Sequence, residues 1–278
     1  MTSTTSHVPV RPLPGILRSG LLRGGAEIRV FFRNRNAVLF NMLMPVALML
    51  LFGSLFKGRV AHSDVPLNRV VVAGVLATGV MTVAFNNLAF ALTQESADGT
   101  LKRLRGTPFT VTAYVVAKAA LVLVLAVVQS VLILVVAAIA FRIPLPASPT
   151  AWATVLWVLL LGAAANSLLG VAVGAWVLDQ RLIIPAIQFP VMVLQFISGV
   201  YYPLSSLPPV LRHIGALFPL KWMAQGMRAA LLPHELGAAE PGHGWHLPQV
   251  ALVLAAWSVG GLLLARLALL RRMRRAGR

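Results

Sequence analysis

Long apolar stretches separated by short polar ones set the pattern of this chain. A bilayer core near 30 Å takes about 20 helical residues at about 1.5 Å each. Six stretches reach that length: residues 37–56, 70–92, 111–141, 151–178, 182–202 and 250–270. The third and fourth exceed what a span requires, so they are expected to tilt or run past the lipid. Lys118 and Arg266 lie a turn or two inside their runs, where a long basic side chain reaches back to the interface.

Between the runs the pattern changes. Residues 1–14 are rich in Ser, Thr and Pro and read as disordered, and 1–25 as a whole reads as a loosely structured cytoplasmic terminus before a membrane domain over 26–275. The first 36 residues do not form a signal peptide, because the apolar run starts late and continues for a full span. Over 26–36, Ile28, Phe31 and Phe32 recur at i, i+3 and i+4, while Arg29 and Arg33 share another face. This spacing predicts a short helix lying in the cytoplasmic interface; the plainer alternative is a helical start to the first span. Two polar segments are long enough to carry structure, 93–110 and 203–247. The second is broken by Pro203, Pro208, Pro209, Pro219, Pro233 and Pro241, with Tyr and Trp between them. Proline limits helices to short pieces and Tyr and Trp favour the headgroup level, so short re-entrant or interfacial helices are expected on the outer side.

Composition confirms the solvent. The 278 residues are 58% hydrophobic and 11% charged, against about 25% charged in a soluble domain. The chain is read as an all-α, multi-pass protein of the cell membrane with six transmembrane helices. A net charge of +17 would suggest nucleic acid in a polar chain, but here its distribution explains it. Of the 24 Lys and Arg, 17 fall on the side that takes both termini and 7 on the other, which places both termini in the cytoplasm, beside anionic lipid headgroups. No nucleic-acid partner is expected. The absence of cysteine removes disulfides, thiolate metal sites and thiol nucleophiles.

Little catalytic chemistry is present. Glu27, Asp64, Glu95, Asp98, Asp179, Glu235 and Glu240 all lie in loops or at span ends, which argues against a proton relay through a buried acid. His243 and His246 are three apart, but Pro241, Gly242 and Gly244 around them oppose a helix, so no metal site is expected. No Lys is preceded by Gly, so the phosphate-binding pattern G-x-x-x-x-G-K-[ST] is missing, and this chain is expected to bind no cofactor. Polar residues inside the spans are amides and hydroxyls. Asn86, Asn87, Gln188 and Gln195 are candidates to line an apolar path with a few hydrogen-bonding points for an amphiphilic substrate, with helix packing as the alternative. Gly162, Asn166, Gly170 and Gly174 form a stripe at every fourth residue that lets helices approach closely.

The most specific segment is ESADGTLKRLRGTP, residues 95–108. Leu101 and Leu104 share a helical face, Lys102, Arg103 and Arg105 flank it, Gly99 and Thr100 can open it and Pro108 stops it, a short amphipathic helix suited to a partner's groove. The segment resembles the cytoplasmic loop after the second span of ABC-2 type permeases. Glu95, Gly99, Thr100, Leu101, Leu104, Thr107 and Pro108 match, and Lys102 and Arg103 stand where the family often has an acid, as in its daunorubicin-resistance-like branch. A second match covers residues 198–228, where Gly199, Pro203, Pro208, Pro219 and Arg228 stand as in the family's external re-entrant segment. The resemblance implies a permease subunit working as a dimer, most simply a homodimer, with a separate ATP-binding subunit that holds ATP and Mg. It implies a cytoplasmic coupling helix over residues 95–108 and outward movement of a drug, antibiotic or lipid. The competing classes are an ion-coupled secondary transporter, a non-transporting scaffold and, more distantly, a membrane-embedded enzyme.

Overall fold

The structure, a computed structural model, describes residues 15–56, 58–60, 63–99, 110–177, 180–202, 204, 207–240 and 243–276. Asn34 divides its N-terminal part. The Asn34 backbone leaves the helical region at φ −84°, ψ 95°, and its side chain accepts a hydrogen bond from the Ala37 N–H at 3.1 Å, so the residue that ends one helix caps the next. Before it runs α1 (Ile16–Arg33) and after it α2 (Arg35–Leu55), which passes through a π-helical turn at Leu39–Leu43. Then come α3 (Leu67–Ala97), α4 (Val111–Phe141), α5 (Pro149–Trp176), α6 (Gln180–Ile197), α7 (Pro209–Ala216), α8 (Pro219–Leu231), a 3-10 turn at His234–Ala239, and α9 (Leu247–Ala276). Thr110 and Ser148 cap α4 and α5 by accepting from the N–H groups of Ala113 and Ala151, each at 3.2 Å.

Five of these helices, α2, α3, α4, α5 and α9, are long and apolar enough to cross a membrane. α4 spans 111–141 as expected. The stretch expected as a fifth span is shorter: the apolar part of α6 is Leu182–Ile197, and it carries Pro185 and Pro190 inside the helix. Each proline removes one N–H from the ladder and frees a carbonyl one turn earlier. The N-terminal helix also differs from expectation. It begins at Ile16, so residues 16–25 are helical rather than loose, and the helix packs along α4 instead of starting at residue 26. Gly20 and Gly24 make this possible. A β-carbon on Gly20 would lie 2.8 Å from the Ala113 carbonyl oxygen, and one on Gly24 3.1 Å from that of Ala117.

α3 is the central helix. Val71, Val75, Leu76, Val80 and Ala84 are buried along it, and α2, α4, α5, α6 and α8 pack around it. The stripe on α5 is consumed within the chain. A β-carbon on Gly170 would lie 2.4 Å from the Phe85 carbonyl oxygen and one on Gly174 2.5 Å from that of Ala89, so backbones touch directly. At the foot of this contact the Thr93 hydroxyl reaches the carbonyls of Ala89 at 2.9 Å and Gly174 at 3.1 Å. Higher up, Asn166 donates to the Gly162 carbonyl at 2.7 Å and Met223 of α8 packs over Gly162. α9 covers the outer side of α5 and also meets α8.

Gly170→Ala is expected to destabilise the protein by about 2 kcal/mol, because the added methyl must displace the backbone of a neighbouring helix. Gly260→Ala, where a β-carbon meets nothing within 4 Å, is expected to cost nothing. Thermal unfolding of the two variants in one detergent checks this; equal melting temperatures would show that α3 and α5 do not need that close approach.

Candidate functional site

Three helices bring their charged residues to one point at the end of α3. Glu95 lies in the last turn of α3. Asp98 caps the helix and Gly99 turns the chain out of it at φ 67°, a left-handed conformation that glycine takes without strain. Gly99 thus closes α3, where the spacing alone suggested that it opens the following helix. Tyr114 and Lys118 stand four apart on α4, and Arg23 and Glu27 four apart on α1, so each pair shares a face.

The Lys118 ammonium sits between two carboxylates, 2.6 Å from Glu95 Oε1 and 3.1 Å from Glu27 Oε2. The Tyr114 hydroxyl donates to Glu95 Oε2 at 2.6 Å. Arg23 Nε bonds Glu27 Oε1 at 3.1 Å, and its Nη2 lies 3.9 Å from Glu95 Oε1. Both cations also approach the face of the Tyr114 ring, at 5.6 Å for Arg23 and 5.2 Å for Lys118. Lys118 is 7% exposed. It does not reach back to the interface, as expected from its place in an apolar run; it is neutralised in place, because a buried ammonium is tolerated only with a paired acid. Two acids and two bases make the cluster neutral. It fastens α1, α3 and α4 together on either side of the segment that leaves α3 at Gly99 and returns at Thr110.

Thr100, Leu101, Lys102, Arg103, Leu104, Arg105, Thr107 and Pro108, all expected to meet an ATPase, lie outside the described residues, as does Pro203. Of the interfacial set, Phe31 is buried with Met42, Val83, Leu121 and Leu125, Ile28 packs against this group, and Phe32, Arg29 and Arg33 are exposed. The four amides considered for a path lie on two helices, Asn86 and Asn87 on α3 and Gln188 and Gln195 on α6. Asn86 is buried on α3, Asn87 donates to the Val83 carbonyl at 2.8 Å, Gln188 is exposed on α6 and Gln195 accepts from the Tyr201 hydroxyl.

A second cluster lies on α8. Pro208 stands at the N-cap of α7 and Pro219 starts α8. Lys221, Gln225 and Arg228 follow at i, i+4 and i+7 and form one polar face on an otherwise apolar, buried helix. Arg228, 1% exposed, donates from Nε and Nη2 to the Glu240 carboxylate and from Nη1 to the Gly199 carbonyl at 3.2 Å. Gln225 donates to the Trp245 carbonyl at 2.8 Å and accepts from Lys221 at 2.7 Å. The Lys221 ammonium stands 3.5 Å from the centroid of the Trp222 ring. Sequence reasoning named Arg228 and Glu95 but missed Arg23, Glu27, Tyr114, Lys118, Lys221, Gln225 and Glu240. For Lys118 the signal was present: a base seven residues into an apolar run requires an acid from elsewhere.

A family model described as ABC-2 type transporter matches residues 24–232, well over half of the chain. The match runs from within α1 through α8 and contains Glu95, Tyr114, Lys118, Lys221 and Arg228. No curated protein matches the chain.

Lys118→Met is expected to cost about 3 kcal/mol, because it leaves Glu27 and Glu95 facing each other without the ammonium between them. Adding Glu27→Gln is expected to recover about 1 kcal/mol of that loss, the coupling expected of residues in one network. Thermal unfolding of the single and double variants measures both; strict additivity would show that the two residues do not share an interaction.

Proposed function

We propose, because the chain belongs to the ABC-2 type transporter family, that it forms the membrane path of an ATP-driven exporter that moves a hydrophobic or amphiphilic substrate outward. A separate ATP-binding subunit, holding ATP and Mg, docks on the segment over residues 100–109 and supplies the energy. The observation that carries this reading is the Glu95–Lys118–Glu27 cluster. A displacement of the docking segment acts at once on the end of α3, the start of α4 and, through Lys118 and Arg23, on α1. One push therefore moves three helices together, which is what a coupling element must do.

Two copies of the chain form the working unit, with α6 facing the partner. Gln188 is exposed midway along α6 among Leu182, Ile184, Phe189 and Met192. An amide there, with carbonyls freed by Pro185 and Pro190, is poorly placed against lipid tails, which offer no hydrogen bond. A second copy provides one, since an amide both donates and accepts and so pairs with itself across a two-fold axis. The apolar residues around Gln188 suit an amphiphile passing between the copies, and the α7–α8 hairpin is a re-entrant element that closes the outer end.

Co-purification tests the coupling. The tagged chain is expected to recover an ATPase, and Leu101→Asp is expected to reduce recovery at least tenfold at equal membrane abundance; a wild-type chain that recovers none would sink the reading. The dimer is tested separately. Gln188→Cys introduces the sole thiol into a cysteine-free chain and is expected to give a cross-linked dimer in membranes under mild oxidation, whereas Leu262→Cys on the exposed side of α9 is not. Equal cross-linking of both would remove α6 from the interface.

A further inference from the structure

Lys221 is a buried cation for which the described residues supply no paired acid. Among the described residues, Glu27 and Glu95 pair with Lys118, Asp64 with Arg59 and Glu240 with Arg228, and no carboxylate lies within ion-pair distance of Lys221. Lys221 is only 7% exposed. Of its three N–H donors, one is used by the Gln225 carbonyl oxygen at 2.7 Å, and the Trp222 ring covers one side of the ammonium. The polar face of α8 therefore carries two cations, Lys221 and Arg228, against the one carboxylate of Glu240.

The position adds to the argument. Lys221 stands in the first turn of α8, next to the tip of the α7–α8 hairpin. The tip does not sit at the outer end of the bundle. The Phe218 ring stacks on Trp257, and Trp257 Nε1 donates to the Leu217 carbonyl at 2.9 Å, about three turns into α9. On the other side Met223 packs over Gly162, midway along α5. An ionised group at such depth that lacks a counter-charge is costly unless a ligand completes it, and it characteristically marks the route of an ion or polar headgroup.

We propose that Lys221, backed by Gln225 and the positive charge of Arg228, is an anion-binding site that receives the phosphate or carboxylate group of an amphiphile at the tip of the α7–α8 hairpin, inside the bundle. That this amphiphile is the transported substrate rests on the export reading above; binding of the anion does not. Arg228 of the same helix and Glu240 from the segment that covers it are the charged groups acting on Lys221.

The test uses the full-length chain in its purified assembly, melted in inorganic phosphate against chloride at equal ionic strength. A parallel arm compares nanodiscs of phosphatidylglycerol with nanodiscs of phosphatidylcholine. Wild type is expected to melt roughly 3 to 5 °C higher at an anion concentration ten times its dissociation constant. Stabilisation by phosphate identifies a free anion as sufficient, and stabilisation by phosphatidylglycerol alone identifies a lipid headgroup; either supports the site. Lys221→Met is expected to lose the shift. Lys221→Arg is expected to keep it, since a guanidinium stays charged. A wild type that responds to neither anion, a Lys221→Met protein that responds like wild type, or a Lys221→Arg protein that loses the response would each overturn the proposal. The outcome is independent of ATPase recovery, so either result can fail while the other stands.

Discussion

One ammonium that cannot be hydrated organises one end of this protein. Lys118 is set into the body of α4, and its charge is tolerated only because carboxylates arrive from two other helices. That requirement fixes where α1 lies and which face it turns inward. With Glu27 on Lys118, the glycines at 20 and 24 meet the start of α4 and Phe31 enters the group of Met42, Val83, Leu121 and Leu125. It also fixes the end of α3, since Glu95 must remain at the same point. α1, α3 and α4 thus become one mechanical body, joined where the chain leaves α3 and where it returns as α4.

The spans were legible in the sequence because the thickness of a bilayer sets a length that apolar runs must meet. α4 begins and ends where its apolar run does, and the turn residues Thr110 and Ser148 mark helix starts with side chains that cap them. Legibility failed where contact is made by backbone rather than by side chains. α1 was placed ten residues too late because large apolar residues were sought, while the contact that extends it is made by Gly20 and Gly24, which add nothing to an apolar pattern. The stripe on α5 was visible as a spacing, but its partners are the carbonyls of Phe85 and Ala89, and a carbonyl carries no sequence signature. The site was less legible still. Lys118, Glu27 and Glu95 lie far apart along the chain, and the general expectation for a base near a span end, that it reaches the headgroups, hides the specific pairing.

The two ends of the molecule handle buried charge differently. Below, two bases face two acids and the account balances. Above, Lys221 and Arg228 face Glu240 alone. The neutral cluster suits a joint between helices, in which Arg23, Tyr114 and Lys118 each donate to one of its two carboxylates. The positive cluster leaves one cation to be completed from outside. Sign imbalance inside a low-dielectric region is what distinguishes a place that holds protein together from one that holds something else.

α6 runs between these two regimes. Its inward face, Ile183, Ile187 and Val191, rests on the apolar core around α3, and its ladder is interrupted twice by proline. Displacing the middle of α6 along α3 breaks dispersion contacts between smooth side chains, whereas displacing α5 would drive Gly170 and Gly174 across carbonyls. The backbone contacts of α6 lie at its end, where a β-carbon on Gly215 of α7 would come 2.4 Å from the Ile197 carbonyl oxygen and one on Gly74 of α3 2.1 Å from that of Val200, just past the helix. There the chain also turns at Gly199, whose φ of 65° suits glycine, and the Gly199 carbonyl accepts from Arg228. Any shift of α6 along α3 must stretch that bond and disturb the guanidinium that also holds Glu240. The polar face of α8, and with it the charge environment of Lys221, is thereby sensitive to the position of α6.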